Sequence, residues 1–233
     1  MKIVATHIYQ FKIPMVPFTI ATGTMHYAQN ILIKIETDEG IIGYGECSAF
    51  PMIVGETQQS CYLLAKDFAA FWKGKNPLAI AERLSELDLI IAGNYTAKSA
   101  FDMALYDIAA KAANQPLYAF LGGSQKPIES DLTIGIDSPQ KMAAQAIDFV
   151  AKGVRIIKVK LGKHPIEDVE RIKAIRTAIG DEIILRIDAN QGWSSHDALG
   201  VLTNLSKYTI EFCEQPMHKY EDDFLPALCK ASP

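Results

Sequence analysis

From Ile128 onward the sequence alternates short apolar runs with amphipathic stretches. The runs are IESDLTIGI (128–136), RIIKVKLG (155–162), EIILRIDAN (182–190) and TIEFCEQP (209–216). Between and after them lie SPQKMAAQAIDFVAKG (138–153), IEDVERIKAIRTAIG (166–180), SSHDALGVLTNLSKY (194–208) and EDDFLPALCKA (221–231). The first of these opens on Ser-Pro and closes on Gly, the start and stop signals of a helix. Strand–helix alternation with apolar strands predicts a parallel sheet, either doubly wound or closed into a (β/α) barrel. A closed barrel takes eight units and about 250 residues. A barrel would therefore be present here as its first half only, truncated.

Residues 1–125 follow a different pattern. IVATHIYQFKI (3–13) and NILIKIETDEGIIGYGEC (30–47) are strand-like, the latter turning at Asp38-Glu39-Gly40. Three stretches at helical spacing follow, 57–74, 77–93 and 97–115. Strands first and helices after predict an α+β domain over 1–125, ahead of a β/α domain over 126–233.

Composition bounds the function. The 233 residues are 49% hydrophobic and 21% charged, a globular mix with enough chain for a real core. A net charge of −4 gives no electrostatic basis for binding nucleic acid or an anionic membrane. No apolar run reaches the roughly 18–20 residues that span a bilayer, and the N-terminal MKIVATHIYQFKIP lacks the apolar core of a secretory signal. Cys47, Cys61, Cys213 and Cys229 show no C-x-x-C or zinc spacing, which predicts free thiols in a reducing, cytoplasmic setting.

In either parallel architecture the functional groups gather at the carboxyl ends of the strands. The first strand offers Thr133, the second Lys158 and Lys160, the third Asp188 and Asn190, the fourth Glu214. Two lysines two apart on a strand point to one face, and burying an ammonium is costly. That face must use ammonium groups or their protons. Asp188 and Glu214 beside it suit a hard cation such as Mg²⁺. Each acid has a plainer reading, Asp188 as a turn or helix cap and Glu214 as a partner for Lys160. Taken with the lysine pair, the functional reading prevails.

Arg186 shares the parity of Asp188 and reads as a structural ion pair. Trp193 reads as packing at the rim. His7, His26, His164, His196 and His218 show no metal-ligand spacing. The charges of EDVERIK (167–173) read as a helix's solvated face. Gly122-Gly123 fits no phosphate-binding loop, and GYGEC lacks the serine of a hydrolase elbow. A Schiff-base aldolase would also use a barrel lysine, but the strand-end carboxylates argue against it.

KVKLG, DANQGW and EQP at successive strand ends resemble the muconate-lactonizing branch of the enolase superfamily. AKSAFDMALYDIAAKAANQPLYAFLGG and NILIKIETDEGIIGYGE resemble the capping domain of that branch, so the resemblance spans essentially the whole chain. Within the branch, TIGIDSP, KVKLG, LRIDANQGW and EQPMHK are most similar to the dipeptide epimerases of the L-Ala-D/L-Glu type.

The resemblance implies an α+β capping domain followed by an enolase-type (β/α) barrel, and a Mg²⁺-dependent epimerase acting on a dipeptide through an enediolate. Lys160 matches the acid/base lysine, and Lys158 its neighbour that tunes it and meets the carboxylate. Asp188 and Glu214 match the first two metal ligands, while Thr133 and Asn190 match positions lining the substrate. Members selective for a Glu second residue carry an arginine in the cap's first loop, where this chain reads Thr22-Gly23-Thr24. Gly23 and Thr24, with Phe50, Met52 and Ile53 of the neighbouring loop, instead predict a small or apolar second residue, as in Ala-Ala-like dipeptides.

The third metal ligand, the opposite-face lysine and the ammonium-binding acids would belong to later strands. The truncated chain is then expected to be inactive alone, and the full-length protein a homo-oligomer. An N-succinylamino acid racemase, an o-succinylbenzoate synthase, a cycloisomerase, or a non-catalytic fragment remain as alternative readings.

Overall fold

A computed structural model describes all 233 residues. They form two compact units, one of Met1–Met15 with Tyr27–Pro127, the other of Val16–His26 with Ile128–Pro233.

Three strands, β1 (Ile3–Ile20), β2 (Gly23–Thr37) and β3 (Ile42–Ala49), pair in the order β1-β2-β3, and the first unit holds all of them but the Val16–His26 tip of the β1–β2 hairpin. β2 and β3 pair antiparallel, from Gln29 opposite Ala49 to Glu36 opposite Ile42. Their turn falls where Asp38-Glu39-Gly40 predicts it: Gly40 has φ +77° and its N–H donates to the Thr37 carbonyl at 3.1 Å. β1 runs seven residues past the 3–13 read from sequence, through Pro14 and Pro17. It lies at the sheet edge, where strands tolerate proline because one side has no ladder partner.

Helices α1 (Pro51–Val54), α2 (Gln58–Trp72), α3 (Ile80–Ile90), α4 (Tyr95–Ala112) and α5 (Leu117–Phe120) follow. Ile31, Ile33 and Ile35 alternate into the core and meet Phe68, Trp72 and Phe101, whose rings pack edge-on. β3 packs directly on α4. A Cβ at Gly43 would lie 2.2 Å from the Ala104 carbonyl oxygen, and one at Gly45 would lie 1.8 Å from that of Ala100. Only glycine admits this approach.

The second unit follows the predicted alternation: β4 (Leu132–Ile134), α6 (Pro139–Ala151), β5 (Ile156–Lys160), α7 (Pro165–Ile179), β6 (Ile184–Asp188), α8 (Ser195–Leu205), β7 (Ile210–Glu214) and α9 (Leu225–Ala231). The strands pair parallel in sequential order, β4-β5-β6-β7. Sequential order decides between the two parallel architectures: it is that of a barrel segment, whereas a doubly wound sheet reverses partway. Ile157, Val159, Leu185 and Ile187 are fully buried in one core with Met142, Ile172, Ile175 and Ala198 of the helices.

The opposite parity carries Lys158, Lys160, Arg186 and Asp188. Arg186 makes the expected structural ion pairs, with Asp131 at 3.0 Å and with Glu211. The charges of EDVERIK depart from expectation: Asp168 and Arg171 are buried, not solvated, because they pair with each other at 2.7 Å.

Candidate active site

Strand register assembles the site. Lys160 lies opposite Asp188, and Asp188 opposite Glu214, one lateral row across the carboxyl ends of β5, β6 and β7. Two residues earlier, Thr133, Lys158 and Arg186 form the row beneath. Period-two alternation puts both rows on one face.

The side chains meet there. Lys160 Nζ donates to Asp188 Oδ2 at 2.5 Å. Lys158 Nζ stands 3.2 Å from the same oxygen and 2.6 Å from Glu214 Oε2. Glu214 thus pairs with Lys158 rather than with Lys160. Asp188 is 1% exposed. Its Oδ1 accepts from the Asn190 backbone N–H at 2.8 Å, so the turn-capping reading of Asp188 also holds. Asn190 Nδ2 reaches Asp188 Oδ2 at 3.3 Å, and Asn190 Oδ1 is buried without a hydrogen-bond partner. Asn190, Gln191 and Gln215 all carry positive φ, at 47°, 65° and 44°. Such left-handed backbone outside glycine gathers at functional strand ends.

Burial pulls the Lys158 pKa down, but hydrogen bonds to Glu214 and Asp188 outweigh it and hold the pKa above the ordinary lysine value. Cys213, one residue before Glu214 and packed toward the core, has its thiol pushed up to about 12 by burial and by the charges of Asp188 and Glu214.

Two carboxylates on adjacent strands and a buried, unpartnered amide oxygen make a hard-oxygen donor set, which fits Mg²⁺ with waters completing its shell. No group of three or more His, Cys, Asp or Glu that could hold a metal ion forms anywhere in the chain, so the strand-end acids stand as a pair.

Gly23 and Thr24 belong to the hairpin tip of the second unit, where Thr24 Oγ1 lies 2.9 Å from Thr19 Oγ1. The Ile136 N–H donates to the Thr19 carbonyl at 2.8 Å, tying this tip to the end of β4. Phe50, Met52 and Ile53 belong to the first unit, where α1 leaves Met52 and Ile53 exposed. Trp193 packs as expected, buried, though its indole N–H also donates to Asp168 Oδ2 at 2.8 Å. Asp168 is the residue that sequence reasoning missed.

A sheet-and-helix unit, with a sequential β/α unit bearing paired lysines and paired acids at its strand ends, defines a class by fold: an α+β unit joined in one chain to a barrel-type β/α unit. Comparison with known proteins narrows it. Residues 3–122 match the description "Mandelate racemase / muconate lactonizing enzyme, N-terminal domain", and residues 141–232 match "Enolase C-terminal domain-like". The chain belongs to the mandelate racemase/muconate lactonizing enzyme family of the enolase superfamily.

A D-Ala-D/L-Ala epimerase of Cytophaga hutchinsonii is 46% identical, over 92% of this chain and 59% of the relative. A hydrophobic dipeptide epimerase of Enterococcus faecalis is 40% identical, over 94% of this chain and 62% of the relative. Among solved structures, the C. hutchinsonii dipeptide epimerase with Mg and D-Ala-L-Val aligns with a TM-score of 0.98 at 43% identity, covering 100% of this chain and 64% of that one. The chain therefore spans about three-fifths of the length of the relatives it matches.

Proposed function

We propose that the full-length protein epimerises dipeptides at the α-carbon beside the terminal carboxylate, with a small or apolar second residue. The observation that carries this reading is the shared oxygen: Lys158 and Lys160 both reach Asp188 Oδ2, in the row that ends at Glu214. Lys160 Nζ, in its neutral form, takes the α-proton. Lys158 Nζ, two residues away on the same face, orients the substrate carboxylate by a charge-assisted hydrogen bond. Asp188 and Glu214 hold Mg²⁺, with Asn190 fixing the Asp188 carboxylate through its backbone N–H. When bound, the metal neutralises the charge that builds on the substrate carboxylate as the proton leaves.

Inversion also needs a proton delivered to the opposite face of the α-carbon. Of the sheet strands in the second unit only β5 ends in lysines, so the proposal concerns the full-length protein. Thr133 and Asn190 line the substrate beside the lysines. Gly23, Thr24, Phe50, Met52 and Ile53 offer no cation to a side-chain carboxylate, which favours an apolar second residue. The two epimerases named above, for Ala-Ala and for hydrophobic dipeptides, support that choice. We place the capping domain at 1–125 and the barrel domain from 126.

The test is solvent-deuterium incorporation with Mg²⁺ present. L-Ala-L-Ala should exchange its C-terminal α-proton at least about tenfold faster than L-Ala-L-Glu, the step expected from leaving a carboxylate unpaired. Exchange into N-succinylamino acids but into no dipeptide would favour a second reading, which rests on the 39% identical N-succinyl-L-Arg/Lys racemase of Bacillus cereus.

A further inference from the structure

We propose that Asp168, with Arg171, is a positioning pair for the strand-end site: one buried ion pair that holds the loops carrying Lys160 and Asp188 in register. The inference takes its reaction from the function proposed above. Asp168 lies one turn into α7 and is fully buried. Its Oδ2 accepts from the Gly162 N–H and from Trp193 Nε1, each at 2.8 Å. Its Oδ1 accepts from Arg171 Nη1 at 2.7 Å. Arg171 Nε donates to the Asp137 carbonyl at 2.9 Å, and its Nη2 to Glu167 Oε2 at 2.8 Å.

The positions of these partners carry the argument. Asp137 follows β4, Gly162 is two residues past Lys160, and Trp193 is five past Asp188. Trp193 is in turn bridged to Met217, just past Glu214. Loops after four consecutive strands thus converge on one carboxylate–guanidinium pair, directly or through Trp193. The loops also touch each other. A Cβ at Gly162 would lie 2.0 Å from the Ala189 carbonyl oxygen, and one at Gly192 would lie 2.1 Å from that of Gly162.

A shift of the β5 loop therefore reaches the residue beside Asp188 without slack. Neither Asp168 nor Arg171 bonds to the lysines or to the strand-end acids, so the pair acts through the loops. A buried ion pair adds little net stability over apolar residues of equal size, and fixing a geometry is the better-supported use of one.

The test uses the full-length protein. An Asp168→Asn/Arg171→Met double variant removes both charges together at similar volume, and Trp193→Phe removes one donor from the carboxylate. Both should stay folded by circular dichroism. In the double variant, kcat for α-proton exchange should fall about 10- to 100-fold with KM little changed, and Mg²⁺ affinity by calorimetry should fall about tenfold or more. Trp193→Phe should move both quantities the same way, by about threefold or more. Folded variants with wild-type kcat and wild-type Mg²⁺ affinity, or with only a lowered Tm, would make the pair a plain structural salt bridge and overturn the proposal. If the double variant does not fold, Trp193→Phe decides by the same criteria. If the wild type exchanges no dipeptide, the functional reading fails, and the Mg²⁺ affinities alone then decide this inference.

Discussion

Asp102, on α4, has a buried Oδ1 without a partner, and burial raises its pKa above the usual carboxylate value. An acid whose folded pKa is raised contributes full stability below its unfolded pKa near 3.8 and loses it as pH rises through the folded value. Asp102→Asn should therefore raise stability at pH 7 by about 1 kcal/mol and change little below pH 3.8, as urea titrations at the two pH values would report. A gain that persists unchanged in acid would place its cause elsewhere. At this scale the sequence was legible where periodicity spoke. Lys158 and Lys160 share a face because strands alternate, and Asp188 and Glu214 end strands that the alternation locates. Asp168 and Arg171 were not legible, since charges three apart on a helix read as solvated. What buries them, Gly162, Trp193 and Asp137, comes from other elements.

Among the elements, α4 is held at its start by a residue outside it. Asn94 stands at the N-cap position with φ 53° and makes no cap bond, while the buried Glu56 accepts from the Thr96 and Ala97 N–H groups at 3.0 and 3.2 Å. Glu56→Ala should cost about 1–2 kcal/mol in denaturant unfolding, as loss of a charged cap does. Gly45→Ala would set a methyl group 1.8 Å from the Ala100 oxygen and force α4 off β3, a loss of about 2 kcal/mol or more. Wild-type unfolding midpoints in either variant would refute the corresponding account. α7 works at both ends of its sheet. Arg171 serves the loops after the strands, while Arg176 donates to the carbonyls of Gly180, Ile183, Tyr208 and Thr209, before β6 and β7. Strand and helix existence was readable from hydrophobic period. The extent of β1 was not, because Pro14 and Pro17 signal a break unless the strand is known to lie at an edge.

For the whole molecule, sequence alternation alone left a barrel and a doubly wound sheet both open; the family resemblance implied the barrel, and the sequential pairing order bears it out. The transfer of Val16–His26 to the second unit was likewise invisible, since the hairpin tip owes its place to contacts with the ends of β4, β5 and β6. A metal held by Asp188 and Glu214 should stabilise the folded full-length protein, by about 2.7 kcal/mol at one hundred times its Kd. Thermal melts with Mg²⁺ and with EDTA should differ in the wild type and coincide in Asp188→Asn. The most direct test of the central claim is stereochemically resolved α-proton exchange in D₂O by Lys160→Ala in the full-length protein. Exchange from one enantiomer of the dipeptide should vanish while Mg²⁺ binding persists. Undiminished exchange from both enantiomers would contradict the assignment of Lys160 as the base.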